Sequence, residues 1–219
     1  MSDRARNSTP DRSNRARLAA ALRVFMAEVI ARDVPDRELV EALAAVESFT
    51  GTLLESPRRS RSVGPLRNEE GKITGFDYGR DMPDFSPVSG PANPVSPCLR
   101  MHLERDVAIG SVRFPVSFEG SPGMVHGGHV AAAFDELFGL TLSSTEKPGM
   151  TGTLSVRFER PCPVDTELRL EGRVRKISGR KIVTEATMRA GDELVAEAEA
   201  LFVTVDLERY EEFARTRDE

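Results

Sequence analysis

One stretch of sixteen residues, Gly128 to Ser143, limits what this chain can fold into more than any other. It carries Val130, Ala131, Ala132, Ala133, Phe134, Leu137, Phe138, Leu140 and Leu142, with Asp135 and Glu136 in its middle. The stretch is longer than an ordinary strand and shorter than the ~20 residues that cross a bilayer. A helix with so little polar surface must be enclosed by protein.

The flanking segments supply the enclosure. Leu99–Glu104 and Ser111–Phe118 alternate apolar and polar residues, which predicts two half-buried strands with a turn near Ile109-Gly110. Four more alternating segments follow the helix: Gly152–Glu159, Glu167–Ile177, Lys181–Arg189 and Glu193–Val205. Ser178-Gly179-Arg180 and Ala190-Gly191-Asp192 are short turn sequences joining neighbours within that run. The expected fold is α+β, an antiparallel sheet wrapped around one central buried helix. Such a sheet keeps an open edge and leaves part of the helix uncovered, so a homodimer or a tetramer of dimers is expected.

The remainder divides by composition. Residues 1–17 read as a polar tail and 18–55 as a helical extension, with Val34-Pro35-Asp36 breaking it and Asp36 as cap of the second helix. Residues 56–97 hold seven prolines (57, 65, 83, 87, 91, 94 and 97) and predict an extended connection. The patterned domain covers 98–207, and 208–219 form a charged tail. A net charge of -5, and eleven arginines against nine acidic residues over positions 1–62, argue against a nucleic-acid partner. The two cysteines, Cys98 and Cys162, are scattered, and no apolar run suits a signal or a membrane span, so a cytoplasmic protein without a membrane partner is expected.

Chemistry concentrates where the loop Gly120–Val125 runs through His126-Gly127-Gly128 into the buried helix. Glycines at a helix start allow close approach to backbone N–H groups that the helix leaves unpaired. Those donors, with the positive end of the helix dipole, suit an oxygen that gains negative charge during a reaction. Asp135 is a carboxylate inside an apolar helix, where burial raises a carboxyl pKa. It lies seven residues past Gly128, nearly on the same face, while Glu136 is turned ~100° away and reads as the innocuous member of the pair. Seven helical residues rise roughly 10 Å, so both groups reach one carbonyl only if they come from different subunits. His126 either orients the loop or contacts the reacting group. Thr151 and Thr153 open the strand after the helix, and either hydroxyl suits a contact with Asp135 or its water. His102 and His129 have no partners at metal-ligand spacing, so no metal is expected.

These residues resemble the PaaI-like branch of the hotdog thioesterase superfamily, which includes the mammalian thioesterase superfamily members 2 and 4. The likeness covers about residues 93–205 and rests on His126-Gly127-Gly128, Asp135, Met150-Thr151-Gly152-Thr153-Leu154, Phe158-Glu159-Arg160-Pro161 and Gly179-Arg180-Lys181. It implies a hotdog fold and hydrolysis of an acyl-CoA, with coenzyme A only as part of the substrate and no separate cofactor. It further implies Asp135 as general base or nucleophile, helped by Thr151 or Thr153, with the backbone after His126 polarising the carbonyl. Arg160 and the turn at Gly179, Arg180 and Lys181 are implied along the CoA path, where their cations suit its phosphates. Some relatives carry an amide just upstream of the His-Gly-Gly; this chain has Glu119-Gly120-Ser121-Pro122. The competing readings are an acyl-CoA-binding module without turnover, such as a regulator, and a hydratase or dehydratase of the same fold.

Overall fold

A computed structural model describes residues 9–57, 64–67, 73–77, 82–145, 147 and 149–205. Two helices come first, α1 (Thr9–Ala31) and α2 (Asp36–Leu54). A small hairpin of β1 (Gly64–Arg67) and β2 (Ile73–Asp77) and a short helix α3 (Met82–Phe85) follow. The main sheet contains β3 (Arg100–Glu104), β4 (Val107–Arg113), β5 (Gly149–Phe158), β6 (Glu167–Ser178), β7 (Lys181–Ala190) and β8 (Glu193–Thr204). It is antiparallel in the order β3-β4-β6-β7-β8-β5, with helix α4 (Gly127–Leu142) against its inner face.

The α4 face made of Val130, Ala133, Phe134, Leu137, Phe138, Thr141 and Leu142 is buried. It meets the inward residues of the strands, among them Leu168, Leu170, Ile182, Met188, Ala196 and Phe202. Two strand glycines let the helix approach. A Cβ on Gly172 would lie 3.0 Å from Leu137 and 3.2 Å from Thr141, and one on Gly110 would lie 3.1 Å from Leu137. The buried Thr141 hydroxyl donates to the Leu137 carbonyl at 2.9 Å, so no polar group is left orphaned there. Outward residues form exposed cross-strand ion pairs, including Arg157–Glu197 and Arg173–Glu185, both at 2.7 Å.

Several expectations change. Helix α1 already includes Thr9 to Arg17, so the polar tail is shorter than 1–17; arginine and alanine favour helix without adding to an apolar pattern. Asp36 is the first residue of α2, not its cap: Pro35 occupies the cap position and no side chain caps that end. Within 56–97 the regular elements among the described residues are the short β1, β2 and α3. The β3–β4 turn lies at Arg105-Asp106, with Arg105 at φ 56, because Gly110 serves packing and lies inside β4. The second alternating segment ends in a 3-10 turn at Val116–Phe118, since Pro115 cannot donate to a ladder. The hairpins at Gly179 and Gly191 are two-residue turns with both glycines at φ 58, as the sequence predicts. The charged tail at 208–219 lies outside the described residues.

Helix α1 rests on the domain. Ala19 is buried, α1 packs on the 116–118 turn, and Arg23 donates to the carbonyls of Pro91 at 3.3 Å and Asn93 at 2.8 Å. Among the described residues no helix is long and apolar enough to cross a membrane.

Candidate active site

His126 occupies the N-cap of α4, where its backbone N–H donates to the Phe118 carbonyl at 2.9 Å. Its Nδ1 accepts the Gly128 N–H at 3.0 Å. With Nδ1 engaged as an acceptor, Nε2 is the ring nitrogen left to donate. The role follows from geometry: His126 caps the helix and holds the loop. Gly128 N–H is therefore already occupied, contrary to its expected part in polarising a carbonyl. Among the described residues, Gly127 N–H has no acceptor.

Gly127 lies against the ring of Phe158, which a Cβ there would approach to 3.1 Å. The surrounding groove has a volume of about 620 Å³, bordered by His126, Gly127, Phe158, Arg160 and Cys162. Gly120 is needed for a close approach as well, since a Cβ there would lie 2.9 Å from His126 Cα. Bare backbone at Gly120 thus packs against the histidine. Burial pushes the Cys162 thiol up to about 11, which disfavours the thiolate at this edge of the groove. His129 sits edge-on to Phe118 at 4.8 Å, and its pKa is lowered by burial and then by His126.

Asp135 projects from α4 toward the start of β5. Thr151 Oγ1 donates to Asp135 Oδ1 at 2.8 Å. A bulge distinguishes the two threonines: Thr151 pairs with Phe202, Thr153 pairs with Leu201, and the register slips between them at Gly152. Residues paired across a ladder share a face. Phe202 faces the core, so Thr151 faces the helix, and Thr153 is turned to the other side. In a single chain Asp135 is exposed, and the burial expected of it is not found there.

Glu136 is not the innocuous neighbour. It is half-buried and accepts the hydroxyls of Ser86, at 2.6 Å, and Ser89. Sequence reasoning missed these partners because they lie 50 and 47 residues upstream in the proline-rich connection. Phe134 and Phe138 are fully buried in the core and do not line a surface pocket.

The expected CoA contacts are divided. Arg160 pairs with Glu193 at 3.5 Å, at the far end of β5. Gly179, Arg180 and Lys181 form the β6–β7 hairpin, where Arg180 donates to the Thr204 carbonyl at 3.1 Å. Seven residues of β7 separate Lys181 from Met188 near the Arg160 end, roughly 23 Å of strand. One chain does not bring these cations together. Among the described residues no three His, Cys, Asp or Glu side chains converge as metal ligands would.

The antiparallel sheet wrapped around α4 is the hotdog fold, and among the described residues that helix carries a helix-start N–H without an acceptor and a hydroxyl-bound carboxylate. Residues 122–197 match the family model described as the thioesterase superfamily. It is 36% identical over 93 residues to the acyl-coenzyme A thioesterase THEM4 of Mus musculus, spanning 42% of this chain and 40% of that protein. It is 31% identical over 92 residues to the acyl-coenzyme A thioesterase THEM5 of Homo sapiens, spanning 41% and 37% respectively. The chain thus spans about two fifths of the length of these curated relatives. A crystal structure of a thioesterase superfamily protein superimposes with a TM-score of 0.72 at 29% identity, covering 86% of this chain and 94% of that one. That coverage reaches well beyond the matched family segment, into the N-terminal half.

Proposed function

We propose that this protein is an acyl-CoA thioesterase whose active site is shared between two copies of the chain. The observation that carries the reading is the Thr151–Asp135 hydrogen bond at 2.8 Å, on the same helix as the unpartnered Gly127 N–H but eight residues away. Eight helical residues rise about 12 Å, too far for both groups to serve one thioester within a chain. Similarity to two curated acyl-coenzyme A thioesterases supports the reaction class.

The edge strand β5 offers a way to join the two halves. Phe158, beside Gly127, is near its end, and Thr151, beside Asp135, is near its start. Antiparallel pairing of β5 with its copy about a two-fold axis beside Ser155 brings Gly127 of one protomer to Asp135 of the other. The same pairing brings Arg160 to the end of the sheet where the other protomer's Arg180 and Lys181 lie, so cations from both chains serve one CoA.

In the reaction, Gly127 N–H donates to the thioester carbonyl oxygen and strengthens that bond as negative charge develops. Thr151 holds Oδ1 of Asp135, leaving Oδ2 to take a proton from water as general base or to attack directly as nucleophile. In the general-base route, hydroxide adds to the carbonyl carbon, the carbon–sulfur bond breaks, and the departing CoA thiolate recovers the proton from Asp135. His126 holds the loop through its cap and needs no proton transfer.

The test is release of free CoA from a panel of acyl-CoAs by the wild type and by Asp135→Asn, which keeps the shape and removes the base. Turnover by the wild type with a large loss in the variant is expected; robust turnover by Asp135→Asn overturns the role of the carboxylate. Binding of CoA esters without any turnover would favour the regulator reading. A single turnover in 18O-water tests the nucleophilic route: hydrolysis of a mixed anhydride at the Asp135 carbonyl puts 18O into Asp135 and none into the product acid, whereas the general-base route puts 18O only into the acid.

A further inference from the structure

The carboxylate next to Asp135 is engaged in a way the proposed reaction does not use. Glu136 Oε1 accepts both the Ser86 hydroxyl at 2.6 Å and the Ser89 hydroxyl. The Ser86 oxygen is itself an acceptor for the N–H groups of Val88 and Ser89, each at 3.1 Å. With its acceptor capacity used by the backbone, Ser86 has its proton available for the carboxylate, so the two bonds reinforce one another.

The segment that carries these serines is fixed at several further points. Val88 packs on the core, and its carbonyl accepts the Leu99 N–H at 3.0 Å. Gly90 is buried where a Cβ would lie 2.5 Å from the Ser86 backbone, so the turn tolerates no side chain. Further along, the Asn93 and Pro91 carbonyls accept from Arg23 of α1. Helix α1 also packs on the 116–118 turn, and the Phe118 carbonyl of that turn holds the His126 N–H. The N-terminal helix is thereby connected to both halves of the site, to Gly127 through Phe118 and His126, and to Asp135 through Arg23, residues 86–93 and Glu136.

We propose that Glu136 is a positioning residue that, with Ser86 and Ser89, fixes the rotation of α4 so that Asp135 meets the thioester, and that Arg23 extends this clamp to α1. The inference rests on the thioesterase reading for its kinetic consequence. Glu136 is turned ~100° from Asp135 about the helix axis, so a clamp on Glu136 constrains where Asp135 points without touching substrate. A misplacement of ~1 Å at a reacting group costs up to about 100-fold in rate.

The test compares Glu136→Ala, Glu136→Gln, the double variant Ser86→Ala/Ser89→Ala and Arg23→Ala with wild type. Glutamine keeps a carbonyl oxygen that accepts both hydroxyls, whereas alanine does not. The expected result is a kcat lower by about 10- to 100-fold in Glu136→Ala and in the serine variant, with KM changed less than about twofold. Glu136→Gln should restore kcat to within about threefold of wild type, and Arg23→Ala should show a smaller loss of the same kind. Amide hydrogen exchange over residues 127–142 is a readout independent of turnover: faster exchange is expected in Glu136→Ala and not in Glu136→Gln. Wild-type kcat in Glu136→Ala, or equal damage in Glu136→Gln, overturns the clamp. An inactive wild type overturns the thioesterase reading instead, and unchanged exchange in Glu136→Ala would then still overturn the clamp.

Discussion

Replacing Thr151 or Thr153 by valine tests the site at its most specific point. The two residues lie two apart on one strand, and in a regular ladder both would face the helix. The slip at Gly152 makes them unequal, giving Thr151 a 2.8 Å bond to Asp135 and turning Thr153 away. A hydrogen bond to a charged acceptor is worth about 1.5–3 kcal/mol, and the lower end applies because both Asp135 and Thr151 are exposed. At 1.36 kcal/mol per factor of ten, Thr151→Val should lower kcat roughly tenfold or more. Thr153→Val should stay within about twofold, and Thr151→Ser, which keeps the hydroxyl, should recover most of the loss. Steady-state release of CoA from a saturating acyl-CoA measures all three. Equal losses in the two valine variants, or a larger loss for Thr153→Val, would refute the assignment made from the bulge.

Three further outcomes follow from neighbouring residues. His126→Ala removes the cap on Gly128 and should cost about 1 kcal/mol, a fall of about 2–4 °C in Tm, while His126→Asn keeps a capping side chain and most of the stability. The lowered pKa of His129 means that the folded chain binds fewer protons than the unfolded one just below ~6.5, so stability rises with pH through that region and falls as the pH drops. Urea melts at pH 5 and pH 7.5 should show this slope, and His129→Gln should flatten it. Ser155→Cys places a thiol beside its copy across the expected two-fold axis, where paired strands bring Cα atoms to about 4.5–5.5 Å, within disulfide range. A crosslinked dimer on non-reducing gels is the expected result, and an uncrosslinked monomer under mild oxidation counts against β5 pairing.

Much of this was legible in the amino-acid order, for physical reasons that also set the limits. The helix over Gly127–Leu142 and the four strands after it were readable because burial imposes a period on their apolar residues. The glycine turns at Gly179 and Gly191 were readable because a positive φ selects the residue type. Gly110 misled because a glycine that admits Leu137 looks the same in sequence as one that turns the chain. The choice between Thr151 and Thr153 depends on a bulge, and a bulge is a property of the pairing with β8. The capping of Gly128 by His126 was hidden for another reason, since histidine is not among the usual capping residues. Glu136 was misread because its partners come from a segment whose prolines predict only an extended run.

Mixing two inactive variants tests the central claim, that Asp135 of one chain works with Gly127 of another. Asp135→Asn and Gly127→Val are each expected to be inactive as homodimers. In a heterodimer of the two, one site holds both lesions and the other holds neither. After unfolding and refolding together in equal amounts, about half of the dimers are mixed, and activity should recover to about one quarter of wild type. Recovery near that value supports a site built from two chains. No recovery from a mixture shown to contain heterodimers would mean that each chain completes its own site, and would contradict the account.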